Sequence, residues 1–153
     1  MNHLTQEATA FAPATIANVA VGFDVLGFAF DDVGDRVTVK RSDRSGVRIT
    51  SVSGESLPAD PQENTAGVAL LSMIEDLGLE QGFEVSLQKG IPLSSGLGGS
   101  AASAVGAVVA ADTCVMLKAS MNPSSAATLA TAASVQVAAV VPLGQGAETV
   151  QRR

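Results

Sequence analysis

Aromatic side chains and cysteine are scarce in this sequence of 153 residues, which has no Trp, no Tyr, five Phe and a single Cys. Without an exposed aromatic platform, recognition of nucleic-acid bases by stacking is not expected. Cys114 has no second cysteine to pair with, which excludes an intrachain disulfide and favours a reducing compartment, so a cytoplasmic location is predicted. The one histidine, His3, lies near the N-terminus, where a functional role is not expected.

Basic residues are outnumbered by acidic ones, nine to fifteen, and the formal net charge is −6. Proteins that bind nucleic acid or an anionic membrane need a basic face, so neither partner is predicted. The apolar runs around 101–111 and 126–143 are rich in Ala, Ser and Thr, and neither makes a convincing membrane span. An anionic ligand such as ATP is still compatible with this charge, provided that a loop supplies positive potential locally.

Glycine and serine are concentrated in residues 92–103, which read Pro-Leu-Ser-Ser-Gly-Leu-Gly-Gly-Ser-Ala-Ala-Ser and lead into an Ala-rich predicted helix. Glycine lets a ligand approach the backbone closely. A helix start presents unpaired N–H groups and a partial positive charge. Together these features predict a phosphate site that uses the backbone N–H groups of residues 96–100. The alternative interpretation is a Gly/Ser-rich surface turn before a helix.

Three known types of phosphate loop can be compared with residues 92–103. A Walker loop requires a Lys after its last Gly, but Gly99 is followed by Ser100 and Ala101. The dinucleotide fingerprint matches the spacing Gly96-x-Gly98-x-x-Ala101, yet Pro92 separates it from the preceding predicted strand and no ribose-binding acid follows on a second strand. That makes a dinucleotide-dependent oxidoreductase the remote alternative. The segment resembles, residue for residue, the phosphate loop of the GHMP kinases, Pro-x-x-x-Gly-Leu-Gly-(Gly/Ser)-Ser-Ala-Ala.

A second segment, residues 12–27, resembles the N-terminal signature of the homoserine kinases. It contains Pro-Ala-Thr-x-Ala-Asn followed by Gly-Phe-Asp-x-Leu-Gly, in the expected order before the phosphate loop. The resemblance covers about residues 7–112 and favours the homoserine kinase family within the GHMP superfamily. It implies transfer of the γ-phosphoryl group of ATP to the hydroxyl of L-homoserine, with Mg²⁺, in threonine biosynthesis.

The resemblance also implies roles for individual residues. Ser100 would contact Mg²⁺ and the phosphates, or alternatively cap the helix. Lys89 would contact the nucleotide, although a lone lysine at a strand end is otherwise solvated. Asn64 would lie near the adenine and ribose, or alternatively cap the helix that follows it. Asn18 and Asp24 would bind homoserine, with Asp24 positioning the substrate first and acting in catalysis second.

The full set of implied ATP-binding residues comprises Asn64, Lys89, Pro92, Leu93, Ser94, Ser95, Gly96, Leu97, Gly98, Gly99, Ser100, Ala101 and Ala102.

Hydrophobic periodicity and turn residues predict an α+β fold, because strands and helices alternate without a regular β-α repeat. The resemblance implies the GHMP kinase N-terminal domain, which is similar to domain 2 of ribosomal protein S5. In the first helix, Val68, Leu71 and Ile74 are predicted to form one apolar side, widened by Leu70, Met73 and Leu77. The predicted elements are a strand at 7–12, a loop at 13–22, a buried strand at 23–30, a turn at 31–35, strands around 37–39 and 47–49, a loop at 54–63, a helix at 64–77, a strand around 85–87 and a helix at 100–111.

The composition changes after Asp112, because residues 113–153 carry only four charged side chains. We therefore expect an ATP-binding domain at 1–112 and, at 113–153, a tail of unclear fold that a frameshift would explain. The alternative is a naturally divergent short protein. The magnesium-ligating Glu and the C-terminal domain of homoserine kinases, which supplies arginines for the substrate carboxylate, are not recognisable in the sequence.

Three functions stay open at this point. They are homoserine kinase, which would form a homodimer if full length; another GHMP kinase of the mevalonate type; and a nucleotide-binding fragment without catalysis.

Overall fold

Two helices and a five-stranded sheet make up the part of the chain that the computed structural model describes, residues 6–17, 19, 27–115 and 139–142, the last of these as backbone only. The predictions for Asn18, Asp24 and most of 113–153 lie outside the described residues. In chain order the elements are β1 (Glu7–Ile16), β2 (Phe28–Ser42), β3 (Val47–Ser53), α1 (Thr65–Leu77), β4 (Gly82–Gln88), α2 (Gly99–Val115) and β5 (Ala139–Pro142).

The strands lie in the order β3-β4-β2-β1-β5, and every neighbouring pair except one is antiparallel. The exception is the parallel pair β3 and β4, which α1 connects in sequence, as a parallel pair requires a crossover. Val37 of β2 lies opposite both Ala10 of β1 and Leu87 of β4. This mixed sheet with two helices confirms the predicted α+β class.

Strand β2 is longer than the sequence predicts, and the turn predicted at 31–35 is wrong. Residues Gly34 and Asp35 pair with Pro13 and Ala12 of β1 as part of a continuous strand. Tertiary pairing overrides the local turn propensity of the Asp and Gly residues there. Glycine is needed at position 34 because an added Cβ would lie 2.6 Å from the backbone carbonyl oxygen of Ala12. Part of the loop predicted at 13–22 is likewise strand, since β1 continues to Ile16.

Both ends of α1 are defined by capping residues. The Oδ1 atom of Asn64 accepts the N–H of Ala66 at 3.1 Å, and Gly78 ends the helix in the left-handed conformation, φ 60°. The helix predicted at 64–77 is therefore confirmed. Its predicted apolar side is confirmed for Leu70 and Met73, which are buried, and for Ile74, which packs against the core. It is wrong for Val68 and Leu77, which are 46% and 42% exposed.

Small residues let α2 lie close to the sheet. Its buried face consists of Ala102, Ser103, Gly106, Ala107, Ala110, Ala111 and Cys114. A Cβ on Gly106 would lie 2.9 Å from Cγ2 of Val37, so this approach depends on glycine. The helix continues to Val115 rather than ending near 111 as predicted. Neither helix of the described residues has the length and apolar character that crossing a membrane requires.

The main core lies between the helices and one face of the sheet. Its largest fully buried side chains are Phe83, Leu70 and Leu87. A second, smaller cluster is formed by Ala12, Ala14, Ile91 and Ala102, with Leu97 packed against it. This second cluster contains residues from both sequence motifs and lies beneath the Gly-rich loop.

We predict that Leu70→Ala destabilises the protein by about 2–5 kcal/mol, because it leaves a cavity in the main core. Val68→Ala, on the exposed side of the same helix, is the matched control and is expected to change stability by less than about 0.5 kcal/mol. Urea unfolding followed by circular dichroism measures both. Equal losses would contradict the assignment of Leu70 to the core.

Cys114 lies in the main core, where its Sγ contacts the carbonyl oxygen of Val39 at 3.3 Å. Burial raises the pKa of the Cys114 thiol to about 11. Because the thiolate is the reactive form, we expect alkylation by iodoacetamide at pH 8 to be at least about 100-fold slower in the folded protein than in urea. Mass spectrometry of timed samples measures this ratio, and comparable rates in both states would show that the thiol is accessible.

Candidate phosphate-binding site

The Gly-rich segment forms a loop between the end of β4 and the start of α2. Three of its residues have left-handed backbone, Ser94 with φ 59° and Gly96 and Gly98 with φ 73° each. Backbone that alternates into this region directs successive N–H groups into one concavity, which is typical of phosphate loops. Residues 92–96 are exposed, whereas 97–99 are half-buried. The predicted loop is therefore accessible to a ligand at its outer part and packed at its base.

Helix α2 begins at Gly99, so the N–H groups of Gly99, Ser100 and Ala101 lie in its first turn, where a helix provides no acceptor. Ala102 already donates to the carbonyl oxygen of Gly98 at 2.9 Å. The alternative role of Ser100 as N-cap is wrong, because Ser100 lies inside the helix. Its exposed position in the first turn is compatible with the predicted ligand contact, which stays a prediction.

Lys89 is buried rather than solvated, with only 2% of its side chain exposed. Its ammonium group forms an ion pair with Asp35 and donates to the carbonyl oxygen of Gly99 at 3.0 Å and to Oγ of Ser103 at 2.9 Å. An ammonium group has three donors, and these three acceptors occupy them. The nucleotide contact predicted for Lys89 stays a prediction. In this structure the ammonium group of Lys89 binds Asp35, Gly99 and Ser103 beneath the loop.

Asp35 is fully buried and accepts four hydrogen bonds. Its Oδ1 accepts the N–H groups of Gly90 and Ile91, each at 3.1 Å. Its Oδ2 accepts from Lys89 and, at 2.9 Å, from the hydroxyl of Ser103. These four hydrogen bonds offset the cost of burying the carboxylate of Asp35, since a buried charge is stable only when it is paired and hydrogen-bonded.

Sequence reasoning missed Asp35 and Ser103, although a weak signal existed for each. Asp35 continues the inward alternation of Val37 and Val39, and Ser103 lies on the small-residue face of α2.

Asn64 is buried, and both polar atoms of its side chain form hydrogen bonds within the protein. Its Oδ1 caps α1, and its Nδ2 donates to the carbonyl oxygen of Pro58 at 3.0 Å. The alternative role of Asn64 as N-cap is therefore confirmed, while its predicted position near the nucleotide stays a prediction.

The two sequence motifs meet at the loop through Thr15, a further residue that sequence reasoning missed. Its N–H donates to the carbonyl oxygen of Leu97 at 3.0 Å. A Cβ added to Gly98 would lie 2.7 Å from the hydroxyl of Thr15. The end of β1, which leads toward Asn18, is thus fixed against the phosphate loop.

Comparison with known proteins identifies the class of this domain. The family described as the GHMP kinases N terminal domain matches residues 64–144, more than half of the chain. The chain therefore belongs to the GHMP kinase family. This match confirms the resemblance of residues 92–103 to the GHMP kinases.

Curated relatives with high sequence identity to this chain are homoserine kinases. Homoserine kinase of Xylella fastidiosa is 59% identical over 108 residues, which make up 69% of this chain and 34% of that protein. Homoserine kinase of Thermoplasma acidophilum is 46% identical over 106 residues. The chain spans about a third of the length of these curated relatives.

Comparison with solved structures also finds a homoserine kinase. The crystal structure of homoserine kinase from Cytophaga hutchinsonii has a TM-score of 0.76 at 44% identity and covers 88% of this chain and 42% of that one. Mevalonate kinase from Methanococcus jannaschii has a TM-score of 0.55 at 17% identity, a likeness that shows the fold alone.

We predict that Gly98→Ala weakens ATP binding more than Gly96→Ala. Both positions have φ 73°, so both substitutions introduce backbone strain of about 1–2 kcal/mol. Only at Gly98 would the new Cβ also collide with Thr15, whereas nothing lies within 4 Å at Gly96. Isothermal titration calorimetry with ATP compares the two variants, and equal affinities would show that the Thr15 contact does not matter for binding.

Proposed function

We propose that this chain is the nucleotide-binding part of an ATP-dependent homoserine kinase, which transfers the γ-phosphoryl group to the hydroxyl of L-homoserine in threonine biosynthesis. The observation that carries the proposal is the left-handed loop before α2, which Thr15 of the second motif contacts directly. The homoserine kinase relatives support the choice of substrate. A cytoplasmic location and a homodimer of the full-length protein belong to the same proposal.

Phosphoryl transfer depends mainly on positioning and on neutralising the charge that spreads over the transferred group. The N–H groups of residues 96–100 hold the phosphates. The field at a helix end contributes only about 0.3–1 kcal/mol for an exposed charge, so several N–H bonds act together. Since Asp35 neutralises Lys89, the site relies on backbone donors more than on a formal positive charge.

Magnesium would neutralise the remaining phosphate charge. It prefers oxygen ligands and is commonly bound through substrate phosphates, waters and one or two protein oxygens. The exposed hydroxyl of Ser100 in the first turn of α2 fits one such ligand. No cluster of three His, Cys, Asp or Glu side chains suited to a metal occurs among the described residues.

Asn18 and Asp24 provide the substrate end of the site in this proposal. A carboxylate such as Asp24 pairs with the substrate ammonium or orients the hydroxyl, and an amide such as Asn18 serves either polar group. Thr15 lies three residues before Asn18 in the chain, and its N–H donates to the carbonyl oxygen of Leu97 in the loop. That contact supports placing the second motif beside the phosphates.

The experiment measures ATP-induced thermal stabilisation and phosphate transfer in parallel. A ligand at 100 times its dissociation constant stabilises a protein by about 2.7 kcal/mol, which a thermal shift detects readily. We expect ATP to stabilise the chain and homoserine to be phosphorylated in preference to mevalonate. Stabilisation without turnover would identify a nucleotide-binding module, which is the second candidate function. Equal rates on mevalonate would defeat the choice of homoserine.

We predict that Ser100→Ala lowers phosphate transfer by about tenfold to hundredfold, as expected when a hydrogen bond or ligand to a charged group is lost. The matched control is Ser86→Ala, which removes a hydroxyl that contacts Ser51 at 2.7 Å on strands β3 and β4. The control is expected to retain wild-type activity. Unchanged Mg²⁺ dependence and rate in Ser100→Ala would exclude Ser100 as a ligand.

A further inference from the structure

We propose that Asp35 is a positioning residue that fixes both ends of the phosphate loop, defined here as residues 92–98, before a nucleotide binds. This inference rests on the proposed function in one respect, since its consequence for ATP requires the loop to bind ATP. A fully buried carboxylate on β2 sets the shape of this loop without itself entering it.

The N-terminal end of the phosphate loop is held by Oδ1 of Asp35. That atom accepts two successive backbone N–H groups, from Gly90 and Ile91, directly before the loop. Two parallel hydrogen bonds to one charged oxygen fix the orientation of both peptide planes. Ile91 is itself buried in the small cluster under the loop, which prevents this end from moving independently.

The C-terminal end of the phosphate loop is held by Oδ2 of the same carboxylate. It accepts the hydroxyl of Ser103 and pairs with Lys89, and Lys89 in turn donates to the carbonyl oxygen of Gly99. The first turn of α2 is therefore bonded to the same group as the end of β4. Because the donors for phosphate lie between these two points, their spacing depends on Asp35.

General stability alone does not account well for this arrangement. Removing two charges from water costs several kcal/mol per ion, and apolar replacements of buried pairs are often as stable or more so. Here both charged side chains are almost completely buried, 2% exposed for Lys89 and 0% for Asp35. Asp35, Lys89 and Ser103 together hold the loop in one defined conformation. This explains why polar side chains occupy buried positions that apolar side chains could fill.

The buried location also separates positioning from ligand contact. Residues 92–96 are exposed, whereas Asp35, Lys89 and Ser103 are buried beneath them. A substitution of Asp35 or Ser103 therefore changes ATP binding only through the loop. It leaves the exposed donors of the loop chemically intact.

The experiment uses the full chain with two variants, Ser103→Ala and the charge-neutral double variant Asp35→Asn/Lys89→Met. Two controls match them, Ser86→Ala for the hydroxyl and Glu84→Gln/Arg48→Met for an ion pair that lies exposed between β3 and β4. Amide hydrogen exchange of the nucleotide-free protein is followed by NMR at Gly90 and Ile91, with Val85 and Leu87 of β4 as internal references. Calorimetry then gives the affinity for ATP of Ser103→Ala and of its control Ser86→Ala, neither of which removes a residue implied to contact the nucleotide.

We expect exchange at Gly90 and Ile91 to become about tenfold faster in both test variants, with β4 unchanged, and the dissociation constant of Ser103→Ala for ATP to rise about tenfold. The controls are expected to match the wild type. Parallel acceleration at β4 and at the loop, or wild-type exchange at Gly90 and Ile91, would overturn the proposal. If the double variant does not fold, Ser103→Ala decides alone. A wild-type protein that binds no ATP would refute the proposed function, while the exchange data would still decide the role of Asp35.

Discussion

The buried pair of Asp35 and Lys89 is the interaction on which the arrangement of this domain depends. It joins the middle of β2, the end of β4 and the start of α2 at one point, and Ser103 completes it. A buried charge tolerates little displacement, because each lost hydrogen bond leaves a desolvated group without compensation. The elements that carry the phosphate loop are consequently fixed to each other at the base of the loop.

Small side chains complement this polar group by bringing backbones close together. The Ala and Gly face of α2 lies directly on β2, and Ala12, Ala14, Ile91 and Ala102 fill the space under the loop. Bulkier residues would hold the helix farther from the sheet and lengthen the contacts that Lys89 makes. Close packing of α2 on the sheet and the buried ion pair therefore stabilise the same position of α2. The small side chains under the loop support it without large aromatic residues.

The phosphate loop shows how an acidic protein could attract an anion in the function proposed above. With Lys89 neutralised by Asp35, the attraction for phosphate would come from backbone N–H groups and the start of α2. This explains why a net charge of −6 is compatible with a nucleotide ligand. Thr15, whose N–H donates to the carbonyl oxygen of Leu97, joins the end of β1 to the same loop.

Local patterns in the sequence determined the α+β class, the capped helix α1, the position of the phosphate loop and the family to which the chain belongs. These features depend on residues close together in the chain, such as Asn64 with Ala66 or the glycines at 96 and 98. Only the tertiary structure decided that Asp35 lies in a strand rather than a turn and that Lys89 is buried. The contacts responsible join residues 54 and 68 positions apart, and no local periodicity records such partners. The loop could therefore be predicted from its own residues, whereas the buried group that shapes it became visible only when β2, β4 and α2 were brought together.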